Sequence, residues 1–201
     1  MKTLPEPDPM NNDLSTRIER RHFANPAALA KGLAQSVADD LHAALQARAQ
    51  ASLALSGGNT PKAFMQALAQ QPLDWARVVV TLVDERWVPE SSDRSNTRLL
   101  RERLLQGAAA KARLIPLRSD AATPEDGLPD LIGGLEPNLP ISVLLLGMGA
   151  DMHTASLFPG ADRLEEALSP NAPLLLPMRA EAAVEPRVTL TAPVLRAAIR
   201  I

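Results

Sequence analysis

Three short segments of this 201-residue chain hold residue types that can do chemistry, and each follows an apolar run. They are Ser56-Gly57-Gly58-Asn59-Thr60, Asp84-Glu85-Arg86 and Gly147-Met148-Gly149-Ala150-Asp151-Met152-His153. In the first, two glycines allow close backbone approach and the turn runs into a helix start at Pro61. Free amides and the helix dipole there suit an anion, phosphate above all. A plain strand-to-helix turn favours the same residues, so both readings stay open, and the Walker spacing is absent. In the second, Asp84 can orient a histidine or act as a base, and Arg86 can grip phosphate oxygens in bidentate fashion. A surface ion pair is the plainer alternative. The third carries His153 two residues after Asp151. A positioned imidazole can take a proton from water and return one to a leaving oxygen. A structural histidine is the competing reading.

Composition removes many other functions. The chain has no cysteine, which excludes disulfides, thiolate metal sites and cysteine nucleophiles, and fits a reducing cytosol. The three histidines, His22, His42 and His153, are scattered and form no ligand-spaced set, so no metal is expected. Only Phe23, Phe64, Phe158, Trp75 and Trp87 are aromatic, and the net charge is −2. Both facts argue against nucleic-acid binding. No run is long enough to span a membrane. The polar, proline-rich start lacks the apolar middle of a signal peptide. It reads as a flexible leader over residues 1–19, followed by a single domain over 20–201. A G-x-G without its third glycine is a weak dinucleotide signal, and no acidic residue sits at a strand end in the right place for a ribose, so NAD is set aside.

The elements that must position these residues follow from hydrophobic periodicity. Asn25 caps and Pro26 opens a helix with the stripe Leu29, Leu33, Val37, Leu41 and Leu45, ending near Ala49. Ala51 to Leu55 is a short apolar strand. Thr60-Pro61 caps a second helix through Phe64, Met65 and Leu68. Arg77 to Val83 and Ile141 to Leu146 read as strands buried on both faces. A helix is expected from Ser95 to Leu105 and a shorter strand at Arg113 to Leu117. Ser119 to Pro140 reads as a surface excursion with at most a short helix. A short helix is expected after Gly149, then a proline-broken stretch to Pro186, a strand at Arg187 to Leu190 and a helix from Pro193. This alternation implies an α/β fold, a mostly parallel sheet flanked by helices in a modified Rossmann-like arrangement. Ligands bind such sheets outside the carboxyl ends of the strands, where the three segments would converge. The pattern from Val194 to Ile201 reads as an uncapped helix, with one more strand expected after it.

Leu55 to Pro61, Asp84 to Pro89, Ser95-Asn96-Thr97-Arg98, Asp151 to Gly160 and Arg187 to Thr191 resemble, in order and context, the bacterial-type 6-phosphogluconolactonases. The resemblance covers roughly Arg20 to Ile201, and the His153-Thr154-Ala155-Ser156-Leu157-Phe158-Pro159-Gly160 run is its most diagnostic part. It implies the glucosamine-6-phosphate isomerase/deaminase type of fold, hydrolysis of 6-phospho-D-glucono-1,5-lactone in the oxidative pentose phosphate pathway, a cytosolic location and no cofactor. It assigns catalysis to His153, with Asp84 and Asp151 as acidic companions. The phosphate loop falls on Ser56, Gly57, Gly58, Asn59 and Thr60, and substrate-contacting arginines fall on Arg86 and Arg187. Two departures stand out. The family usually carries glycine where Met152 stands, which matters if that position needs a positive φ. The family also continues with a further strand and a lysine-bearing loop near the phosphate.

The partner expected is therefore a small phosphorylated sugar lactone, with no membrane and no nucleic acid. Ser156 lies near His153, but no G-x-S-x-G elbow accompanies it, so a Ser-His hydrolase is the weaker reading. A sugar-phosphate isomerase or deaminase of the related family is the nearest rival. A non-catalytic sugar-phosphate sensor is the rival from another class.

Overall fold

A computed structural model describes residues 18–201. The expected leader lies almost wholly outside the described residues. Among them, no helix is long and apolar enough to cross a membrane.

The first helix, α1 (Pro26–Ala47), starts as its sequence requires: Asn25 accepts the Ala28 amide at 2.9 Å and Pro26 occupies the first turn. Its buried face differs from the leucine stripe. Ala30, Ala34, Val37, Ala38, Leu41 and Leu45 are buried, while Leu29 is 44% exposed. Residues spaced by four drift about 40° per step around a helix of 3.6 residues per turn. The stripe therefore leaves the core at its N-terminal end, and there Leu29 and Leu33 line a cavity instead.

Four strands form a parallel sheet in the order β4-β2-β1-β5, with β1 at Ala51–Leu55, β2 at Val78–Leu82, β4 at Arg113–Leu114 and β5 at Val143–Leu145. Every residue of β1 and β2 is buried, as continuous apolar runs in a covered parallel sheet require. Helix α2 (Lys62–Ala69) packs on α1. It begins at Pro61 without a side-chain cap, so Thr60 does not cap it as expected.

A second, antiparallel sheet was not foreseen. Beyond Leu82 the chain does not break. Val83 still donates to Leu55 O at 3.0 Å and accepts the Leu190 amide at 2.9 Å, so it belongs to the seam between the two sheets. The chain then continues as β3 (Asp84–Arg86), which pairs with β7 (Arg187–Leu190), and β7 with β6 (Leu175–Met178), in the order β3-β7-β6. Pro177 disguised β6 in the sequence. It is tolerated because β6 is an edge strand, where a missing donor costs no ladder bond on the open side.

Three other expectations need correction. The presumed excursion contains α4 (Pro124–Leu135), a 12-residue helix capped by Thr123, which accepts the Asp126 amide at 3.2 Å. That cap, with Glu125 and Asp126 in the first turn, outweighs the glycines and Pro129. The short helix expected after Gly149 starts well beyond it: residues 147–163 are turns and irregular chain, and α5 (Leu164–Leu168) follows. The helix after β7, α6 (Ala192–Arg196), ends before the last residues, which run alongside β5. Ile199 donates to Ile141 O and Leu144 to Arg200 O, both at 2.9 Å, and Arg200 forms a parallel bridge with Val143.

Candidate active site

The carboxyl ends of β1 and β5 are clipped together by one hydroxyl. Ser56 Oγ donates to Leu145 O at 3.3 Å and accepts the Gly147 amide at 2.9 Å. The Ser56 side chain thus holds two loops in register where it lines the cavity. Gly57 follows where only glycine fits, since a Cβ there would lie 2.0 Å from Asn96 Oδ1. Gly58 has φ +94° and open space around it, and its conformation is the one glycine alone adopts freely.

Helix α3 (Asn96–Arg103), capped by Ser95, packs its first turn against β3. Strand period explains how Asp84-Glu85-Arg86 is divided. Asp84 and Arg86 face a cavity of about 690 Å³, together with Arg187. Glu85 points the other way, into the start of α3. Asp84 is buried, and its Oδ2 accepts the Ser156 hydroxyl at 2.6 Å and lies 3.6 Å from Arg187 Nη1. Ser156 is fully buried in that role, which removes it as a nucleophile.

Arg86 and Arg187 are directly opposed across the β3–β7 ladder. Like charges so placed repel. Each also has a buried Nε with no hydrogen-bond partner. Burial, and then the charge of Arg86, lower the affinity of the Arg187 guanidinium for its proton, with Asp84 opposing. Such a pair has the charge and the donors to receive an anion.

His153 sits in a loop closed on itself. Gly149 donates to His153 O and Met152 to Gly149 O, both at 2.9 Å, and Thr154 Oγ1 donates to Gly147 O at 2.9 Å. Gly149 is obligatory, because a Cβ would meet the imidazole at 2.3 Å. Asp151 Oδ1 lies 2.5 Å from His153 Nδ1. This hydrogen bond holds the Asp151 carboxyl below the usual carboxylate range. An ionised carboxylate only accepts, so Nδ1 carries a proton, and in the neutral imidazole the lone pair is then on Nε2. Phe158 backs the ring, with centroids 4.2 Å apart. Met152 adopts φ 68° and Ala155 φ 51°, so the position where glycine is usual does require left-handed backbone, and Met152 takes it with its side chain in solvent.

The structure therefore gathers Ser56, Gly57, Gly58, Asn59, Thr60, Asp84, Arg86, His153 and Arg187 around one cavity. Asp151 stands outside the lining, behind the imidazole. Of the two acids considered as orienters of His153, Asp151 makes the contact, and Asp84 is committed to Ser156 and Arg187. Sequence reasoning missed Asn96, which lines the cavity, and Phe158, which supports the imidazole. Both lie in the motifs already quoted, and the signal for Asn96 was its place just after a cap serine. Among the described residues, no group of three or more His, Cys, Asp or Glu could hold a metal ion.

The family model described as glucosamine-6-phosphate isomerases/6-phosphogluconolactonase matches residues 24–201. The 6-phosphogluconolactonase of Rhizobium meliloti (strain 1021) is 52% identical over 172 residues, which are 84% of this chain and 74% of that protein. The 6-phosphogluconolactonase of Pseudomonas aeruginosa PAO1 is 48% identical over 178 residues, 88% of this chain and 75% of that one. Among solved structures, a 6-phosphogluconolactonase from Shewanella baltica OS155 superposes with a TM-score of 0.84 at 40% identity, covering 88% of this chain and 76% of its own. The chain belongs to the glucosamine-6-phosphate isomerase/6-phosphogluconolactonase family.

Proposed function

We propose that this chain hydrolyses 6-phospho-D-glucono-1,5-lactone to 6-phospho-D-gluconate, with His153 as the general base. The observation that carries this reading is the imidazole with a free Nε2, held by Asp151, on the same cavity as two opposed arginines with unused donors. The relatives quoted above, which bear the lactonase name at about half identity, support the choice of substrate. The activity belongs to the oxidative pentose phosphate pathway in the cytosol.

Arg86 and Arg187 hold the substrate phosphate, and the amides of Gly57 and Gly58 share its charge. The anion relieves the repulsion of the arginine pair. Anchored at that end, the lactone presents its C1 carbonyl to the His153 loop. Nε2 takes a proton from the attacking water, Asp151 stabilises the imidazolium that forms, and the same proton goes to the ring oxygen as the C1–O bond opens. General base catalysis contributes about 10²–10⁴-fold, which suits an ester-like lactone with a low intrinsic barrier.

The test is a pH-stat assay on freshly generated lactone, corrected for spontaneous hydrolysis. Wild type turns the lactone over, while His153→Ala loses about 10²–10⁴-fold in kcat with substrate binding retained. Near-wild-type kcat in that variant would reject the base. Ammonia release from glucosamine 6-phosphate would point instead to the deaminase branch of the family, and binding without turnover to a sensor.

A further inference from the structure

Glu85 is a buried acid that this chemistry leaves unused. It is 1% exposed and lies on the face of β3 opposite the cavity. Its Oε1 accepts the amides of Arg86 and Asn96, both at 2.8 Å, and its Oε2 accepts the Thr97 amide at 2.7 Å and the Ser95 hydroxyl at 3.2 Å. Four neutral donors and the α3 dipole satisfy the charge in place of a cation. Filling the core alone would need no carboxylate there. This one welds the end of β3 to the first turn of α3.

The weld reaches the site along two routes. Asn96, fixed by its amide to Glu85, donates its Nδ2 to Asp84 O at 3.1 Å and stands as a wall against Gly57. Arg86, fixed by its amide to the same carboxylate, carries one of the two guanidinium groups facing the cavity. We propose that Glu85 is a positioning residue for substrate phosphate, acting through Asn96 on the glycine turn and through the Arg86 backbone on the guanidinium. The proposal rests on the reading of Gly57, Gly58 and Arg86 as the phosphate anchor.

The test is Glu85→Gln, which keeps the shape but turns an NH2 toward amide donors. Its KM for the lactone rises about tenfold or more, kcat falls less, and protection against thermal unfolding by inorganic phosphate shifts to correspondingly higher concentration. A variant with a lowered Tm but wild-type KM and an unchanged phosphate midpoint overturns the proposal, because Glu85 is then structural only. Should the Gln variant fail to fold, Asn96→Ala leaves the backbone bonds to Glu85 in place and removes the wall together with the Nδ2 hydrogen bond to Asp84 O. It raises KM and the phosphate midpoint in the same direction, and wild-type values for both overturn the proposal. The phosphate readout needs no turnover. A wild-type protein that binds phosphate but leaves the lactone intact therefore defeats the activity reading alone.

Discussion

Met152 carries the local cost of the His153 loop. A non-glycine residue in the left-handed region costs roughly 1–2 kcal/mol, and glycine loses roughly 0.5–1 kcal/mol of chain entropy on ordering. Met152 is 77% exposed, so it recovers little of that cost by packing. Met152→Gly should therefore stabilise the protein by about 0.5–1 kcal/mol in urea unfolding, with kcat little changed because His153 is held by Asp151 and Phe158 rather than by the methionine. Asp151 gives the pH dependence. Its folded pKa is depressed by the bond from His153, so its contribution to stability is present above the ordinary aspartate range of about 3.9 and is lost as pH falls through the lowered value. Asp151→Asn should melt below wild type at neutral pH, and the gap should close in acid. A gap that persists unchanged below that range would show that the carboxylate charge is not what holds the loop.

At the scale of elements, the parts legible in the sequence are those where one local signal decides. Asn25-Pro26 started α1, the continuous apolar runs marked β1 and β2, and the polar ends of the strands marked the cavity rim. The illegible parts depend on partners distant in sequence. An apolar run shows that Val83 is buried but not that it passes from a parallel sheet to an antiparallel one, since that is set by pairing with Leu190. Pro177 hid β6 because edge position is a property of the sheet, not of the strand. The same holds for roles within the site. Asp84 and Asp151 look alike in sequence, and only the register of β3 with β7 and the closure of the His153 loop separate them. The junction of β1, α2 and α3 offers a direct check on this packing. Gly57→Ala drives a methyl into the Asn96 carboxamide and should destabilise by about 1–3 kcal/mol, as overpacking does. Adding Asn96→Ala should restore the Tm toward that of Asn96→Ala alone, and a strictly additive double mutant would deny the contact.

Across the whole molecule, the site straddles the seam between two sheets that meet at Val83. The parallel sheet brings the Ser56–Thr60 turn and the His153 loop, and the antiparallel sheet brings Asp84, Arg86 and Arg187. Ligand-free, the antiparallel side carries opposed arginines whose repulsion works against folding. A phosphate bound as proposed would reverse that sign and tie both sheets to one group. Arg86→Met should therefore separate stability from function. It removes the repulsion and an orphaned Nε, at the loss of the hydrogen bond from Arg86 Nη1 to Arg94 O, and it leaves Arg187 beside Asp84. The ligand-free variant should melt at or above the wild-type temperature. Ligand stabilisation should nearly vanish, whereas wild type at a hundredfold excess of 6-phosphogluconate over Kd gains about 2.7 kcal/mol. A variant less stable than wild type without ligand, yet stabilised by ligand to the same extent, would mean that Arg86 holds the seam together and that the anion binds elsewhere.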